Sequence, residues 1–101
     1  MAAVPNPSFG EVSNNRSLQR FELDVGGAVA FATYRLAEGT VIITHTETPT
    51  GLRGRGIASR LIAGALELIR QDGNQVVAAC GFVADYLASH REWSDLEARR
   101  R

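Results

Sequence analysis

From Arg20 onward, apolar and charged residues take turns. Phe21, Leu23 and Val25 alternate with Glu22 and Asp24, the period of a strand with one buried face. Gly26-Gly27 follows and suits a two-residue hairpin turn. Ala28 to Leu36 reads as a second strand carrying Val29, Phe31 and Tyr34, and Glu38-Gly39 turns the chain again. Val41 to Thr48 is rich in β-branched residues and reads as a third strand. Unbroken alternation along it puts His45 and Glu47 on one face with Val41 and Ile43.

The period then changes. Ala58, Leu61, Ile62, Ala65, Leu66 and Ile69 recur at the spacing of one helix face, with Arg60, Glu67 and Arg70 outside it. Asp72-Gly73-Asn74 ends that helix, Gly73 being suited to a left-handed cap. Gln75 to Cys80 reads as a short apolar strand. A last helix follows, with Phe82, Val83, Tyr86 and Leu87 as its buried stripe, and runs to about His90. The predicted order is β-β-β-α-β-α. It describes an α/β (α+β) fold with a mixed sheet, in which an antiparallel meander is followed by a β-α-β crossover and a final helix. The crossover makes the last two strands parallel neighbours.

Residues 1–18 contain Pro5, Pro7 and the polar run Ser13 to Ser17 without any apolar period, and are expected to be a flexible tail. Residues 19–97 form the expected domain, and 98–101 a frayed basic end. Arg99-Arg100-Arg101 reads either as a solvated terminus or as a contact to RNA or a partner. The chain's 101 residues suit one domain. No apolar stretch approaches bilayer length, and no signal-peptide pattern opens the chain, so no membrane is expected. The one cysteine, Cys80, allows no internal disulfide and fits a reducing, cytoplasmic setting.

Eleven acids balance eleven bases, which argues against a general nucleic-acid binder. All the bases are Arg. Without Lys, neither a G-x-x-x-x-G-K-[ST] phosphate loop nor Schiff-base catalysis by Lys is possible. Between Glu47 and Glu67 there is no acid, while Arg53, Arg55 and Arg60 stand together in sequence. Around them the segment Pro49 to Ser59 carries Gly51, Gly54 and Gly56 just before the helix. Such a loop offers bare main-chain N–H groups at the positive end of a helix, where phosphate oxygens bind. Arg53 and Arg55 add charge, and Ser59 adds a hydroxyl. The alternative is a glycine-rich surface turn. A dinucleotide loop fits poorly: Ser59 stands at the third glycine position, and the next strand closes on Cys80 instead of an acid.

Here the chain resembles the GNAT N-acetyltransferase superfamily. Arg53-x-x-Gly56-x-Ala58 matches its [Q/R]-x-x-G-x-[G/A] acyl-CoA loop. Three wider blocks are similar to its small stand-alone members: His45-Thr46-Glu47-Thr48-Pro49, Leu52 to Ala58, and Cys80-x-Phe82-Val83-x-x-Tyr86-Leu87-x-x-His90-x-Glu92-Trp93. The likeness covers roughly residues 20–96. Thr48 stands where Val is common. Arg91 replaces the usual Pro and is expected to loosen the turn after the last helix.

The resemblance implies acetyl-CoA as cofactor. Its diphosphate would lie on Arg53, Gly54, Arg55, Gly56, Ile57, Ala58 and Ser59. Its pantetheine arm would add like a strand beside the main chain of Glu47 and Thr48, with Cys80 close by. Glu47 is the candidate base for the acceptor ammonium, acting through water; otherwise it is a solvated strand-end carboxylate. Tyr86 is the candidate proton donor to the departing thiolate, or else a core tyrosine with a wet hydroxyl. Cys80 is a cofactor contact, a transient acyl acceptor or a small buried hydrophobe. His45 reads as a structural histidine, a base or the partner of Glu47, and His90 as structural. Trp93 is expected as a lid over the end of the core. The spacing of His45, Cys80 and His90 suggests no metal site.

Two functions follow. One is transfer of acetyl from acetyl-CoA to an amine, on an exposed or protein acceptor, by a monomer or weak dimer. The other is a CoA-binding or protein-interaction module with little catalysis. Only Gly26-Gly27 separates the first two strands, where larger members of the superfamily insert helices, so the acceptor side should be open.

Overall fold

The computed structural model describes residues 11–51 and 56–98. Its strands are β1 (Ser13–Asn15), β2 (Arg20–Asp24), β3 (Val29–Ala37), β4 (Thr40–Glu47) and β5 (Gln75–Ala78). The helices are α1 (Ile57–Gln71) and α2 (Gly81–Ser89), and a 3-10 helix spans Arg91–Leu96. The sheet runs β1-β2-β3-β4-β5, antiparallel except for the parallel β4–β5 pair joined through α1. The expected meander and crossover are both present.

One strand goes beyond the expected order. Ser13–Asn15 pairs antiparallel with Arg20–Glu22, so residues 13–15 belong to the sheet and not to a tail. Their side chains are polar, and main-chain pairing holds them, so no hydrophobic period marks them. Val12 adds an anchor: a Cβ on Gly64 of α1 would overlap its side chain. The mid-helix glycine is thus the seat of the amino-terminal arm. Residues 1–10 of the expected tail lie outside the described residues. At the other end, the Ala98 amide donates to the Val76 carbonyl at 2.9 Å. Residue 98 is therefore tied to β5 instead of frayed, while 99–101 lie outside the described residues.

The core lies between the sheet and the helices. Phe21, Leu23 and Val25 are buried as their alternation requires. On β3 the inward residues are Ala30, Ala32 and Tyr34, leaving Val29 and Phe31 on the other face. From α1 come Ile57, Leu61, Ile62, Ala65, Leu66 and Ile69, each full burial of a large aliphatic being worth about 1.5–3 kcal/mol. The helix ends as expected. Gly73 takes φ +76°, its amide donates to Arg70, and that of Asn74 donates to Ile69, a Schellman closure. From α2 come Val83, Tyr86 and Leu87. Phe82 was expected among them but is 39% exposed. It sits in the first turn, to one side of the stripe that Val83 and Leu87 define.

Arg91 also departs from expectation. Its guanidinium donates to the Leu87 carbonyl at 3.0 Å and to Glu97 Oε2 at 2.7 Å. It closes the last turn of α2 and binds the segment that bridges to Val76. The turn is braced where loosening was predicted, because the guanidinium satisfies a helix-end carbonyl that a proline would leave open.

Candidate functional site

The site is built around a bulge in β4. Tyr34 of β3 stands opposite Ile43, but Thr33 stands opposite His45, so Thr44 is an extra residue. The extra residue reverses the phase of everything after it. Val41 and Ile43 are 3% and 0% exposed, whereas the side chains of His45 and Glu47 are 58% and 43% exposed. His45 and Glu47 therefore share a face with each other but not with Val41 and Ile43. The expectation of one common face is overturned, because a one-residue slip sends every later side chain to the other side.

On the outer face, His45 Nε2 lies 2.8 Å from Glu47 Oε1. This is the histidine–carboxylate partnership that the sequence left open. Glu47 stands opposite Phe31, and the Thr33 and Thr44 hydroxyls meet at 2.9 Å. Thr46 points inward instead. Its hydroxyl lies 3.5 Å from the sulfur of Cys80. The parallel ladder between β4 and β5 covers only Thr40–Ile43 with Gln75–Ala78, and the Ala79 amide adds one more bond, to the Ile43 carbonyl. Past that point β4 continues with β3, while the other chain turns into α2 through Cys80. The two strands part at the bulge, with Thr46 and Cys80 on one side of the parting and His45 and Glu47 on the other.

Cys80 is the residue before α2, in extended conformation. Burial raises the pKa of its thiol. The Thr46 hydroxyl and the amides of Val83, Phe82 and Thr46 lower it by more, and the net direction is down. The Phe82 and Val83 amides belong to the first turn of α2, the positive end of a helix, where a thiolate is favoured.

The start of α1 faces the same end of the sheet, since β4 leads into it. Gly56 adopts φ +73° and ψ +12°, a left-handed conformation that suits glycine, and no side chain caps the first turn, which also lacks an acid. Ile57 is buried, while Ala58 is half-buried and Ser59 exposed. The helix thus begins with main-chain donors and no anionic competitor. Arg53, Gly54 and Arg55 lie outside the described residues.

Tyr86 belongs to the far end of α2. Its ring stacks on His90 with centroids 3.9 Å apart, and His90 Nδ1 bonds to the Tyr86 carbonyl at 2.9 Å. Burial raises the phenol's pKa, hydrogen bonding to the Trp93 side chain partly offsets this, and the charge of Glu92 adds to the rise. Trp93 packs against the core's end under the Arg70 guanidinium, 4.7 Å from the ring centre, and Arg70 bonds to Asp95 at 2.7 Å. Thr46 was not foreseen as part of the site. Polar residues fill both faces from Thr44 to Thr48, so no change of hydrophobic phase announces the bulge.

Comparison with known proteins agrees with this fold. A solution structure of a GCN5-like protein from Staphylococcus aureus superposes with a TM-score of 0.67 over 90% of both chains at 23% identity, a likeness of fold. Protein NATD1 of Xenopus tropicalis is 29% identical over 80 residues, covering 75% of this chain and 72% of its own. Protein NATD1 of Homo sapiens is 28% identical over 95 residues, covering 85% and 83%. Residues 20–96 match the family model of the GCN5-related N-acetyl-transferases, and the chain belongs to that family.

Proposed function

We propose that this protein transfers the acetyl group of acetyl-CoA to an amine on an exposed or protein-borne acceptor. The observation that carries the reading is the parting of β4 from β5 at the Thr44 bulge. It opens a sheet edge beside Thr46 to Thr48 where an extended arm can add as a strand does. The uncapped start of α1 at Gly56 to Ser59 suits a diphosphate, and Arg53, Gly54 and Arg55 complete that cradle in the proposal. The bound coenzyme would supply an activated thioester.

The chain's own residues then divide the work. Glu47 takes the proton of the acceptor ammonium through water, with His45 holding its carboxylate in place. Cys80 lines the coenzyme's side of the parting, its thiol oriented by Thr46. Tyr86 carries its proton at neutral pH as any tyrosine does, and serves as the donor to the departing thiolate. The protein works in the cytoplasm as a monomer or weak dimer, without nucleic acid or membrane. Among the described residues, no helix is long and apolar enough to cross a membrane.

A second reading, a coenzyme-binding module without efficient turnover, draws on the Gly26-Gly27 hairpin. The Val25 amide bonds to the Ala28 carbonyl at 2.8 Å, so nothing is inserted there to enclose an acceptor. Thermal shift with acetyl-CoA and CoA tests both readings; a ligand at a hundred times its Kd adds about 2.7 kcal/mol. Thiol release with a panel of amines separates them. In the catalytic reading Glu47→Gln lowers kcat by roughly 10²-fold or more without loss of the thermal shift. An intact rate in Glu47→Gln, Tyr86→Phe and Cys80→Ala alike would remove these assignments.

A further inference from the structure

The outer face beside Glu47 carries a row of three residues in register across three strands. Glu22 on β2 stands opposite Phe31 on β3, and Phe31 stands opposite Glu47 on β4. An aromatic ring with a carboxylate on either side is a cation site by its chemistry, the ring face and both acids attracting positive charge. A cation already lies on it. The Arg20 guanidinium stacks over Phe31, 4.4 Å from the ring centre. It is held there by Glu22 Oε2 at 2.6 Å, which Asn15 also contacts at 3.0 Å. The row is half-buried and leads straight to the acid assigned as base.

We infer that Glu22, Phe31 and Glu47 form a subsite for a second positive charge on the acceptor, occupied by Arg20 in the free protein. The inference deepens the acetyl-transfer reading and rests on it for the identity of the ligand as an acceptor. Neighbouring strands are about 4.8 Å apart. An acceptor with its reacting amine at Glu47 would thus place its second cation roughly 5–10 Å away, over Phe31 or against Glu22. When it enters, Arg20 swings off the ring. The substrate class is an amine bearing another cation, as in an alkyldiamine or a peptide with a neighbouring basic side chain.

Two measurements test this. The first needs no turnover: tetramethylammonium is titrated into ¹⁵N-labelled protein, with the amides of Glu22, Phe31 and Glu47 observed. Those three should shift, more strongly in Arg20→Gln, where the internal occupant is gone, and the response should vanish in Arg20→Gln/Phe31→Leu. Melting temperatures confirm that the variants are folded, and Glu22→Gln, which leaves the ring in place, should weaken the response on its own. No response in Arg20→Gln, or one indifferent to Phe31→Leu, overturns the subsite.

The second measurement compares kcat/KM for alkyldiamines of increasing length, for basic dipeptides and for matched monoamines. A second cation should raise kcat/KM about threefold to tenfold, and Glu22→Gln should erase most of that gain. The diamine and dipeptide arms show which source carries the charge. Monoamines acetylated as well as every dication would overturn the subsite and leave acetyl transfer standing. Tetramethylammonium bound at the row with no amine acetylated would do the reverse.

Discussion

The Thr46 hydroxyl lies 3.5 Å from the Cys80 sulfur, although its neighbours in sequence, His45 and Glu47, stand on the opposite face of the sheet. The contact exists because the extra residue at Thr44 turns Thr46 inward at the level where β5 gives way to α2. It joins β4 to the start of α2 beyond the end of the β4–β5 ladder.

Thr46→Val keeps the β-branched shape but removes the hydroxyl that favours the thiolate. The Cys80 thiol should become a weaker acid, and its alkylation by iodoacetamide at pH 7 should slow by roughly threefold to tenfold. The rate–pH profile should move upward while the melting temperature changes little. An unshifted profile would mean that the amides of Val83 and Phe82 suffice to set the thiol's acidity.

Tyr86 gives a pH dependence of defined sign. Its folded pKa is raised, chiefly by burial, above an ordinary value of 10.0. A raised pKa means the folded protein holds the phenol proton more tightly than the unfolded chain does. That stability is fully present below pH 10 and is lost as pH rises through the folded pKa. Urea denaturation from pH 8 to 11 should show a decline beginning near pH 10, smaller in Tyr86→Phe. Equal declines in both proteins would assign the loss to other groups.

The fold was legible wherever burial imposes a period. Phe21, Leu23 and Val25 on β2, and Leu61, Ile62, Ala65, Leu66 and Ile69 on α1, are inside because they recur at 2.0 and 3.6 residues. The elements that escaped are those without such a period. Ser13–Asn15 is polar and held by main-chain pairing, and the bulge falls in Thr44-His45-Thr46, where both faces are polar. The likeness to a known family marked Glu47 and Cys80 as candidates. The reversal of face, which joins Glu47 to Phe31 and Thr46 to Cys80, came only with the register of β3 against β4.

Arg91 closes α2 by two hydrogen bonds, one to the Leu87 carbonyl and one to Glu97. Arg91→Ala removes both and releases the segment that bridges to Val76. The guanidinium is largely exposed, so the loss should be modest, about 0.5–1.5 kcal/mol in urea denaturation. Hydrogen exchange should quicken at Ala98, whose amide bonds to Val76, and leave β2 and β3 unaffected. Arg91→Lys should restore only part of the stability, because an ammonium lacks the fork that reaches both acceptors.

Gly64 sits in the middle of α1, where glycine costs about 1 kcal/mol against alanine. Helix propensity alone would therefore make Gly64→Ala stabilising. The structure predicts otherwise, because the new Cβ would overlap the Val12 side chain, and overpacking of this kind costs about 1–3 kcal/mol. The arm is the softer partner: β1 has only three residues and pairs with β2 alone among the described strands. Gly64→Ala should displace it, speeding hydrogen exchange in β1 while the core of α1 stays protected. Val12→Gly should lose a packing contact but leave room for the new methyl, since it is the Val12 Cβ as well as its methyls that the new group would meet. The double variant Val12→Gly/Gly64→Ala should then be more stable than Val12→Gly alone, by the helix propensity gained. A Gly64→Ala protein with β1 still protected and a raised melting temperature would show that Val12 does not hold the arm.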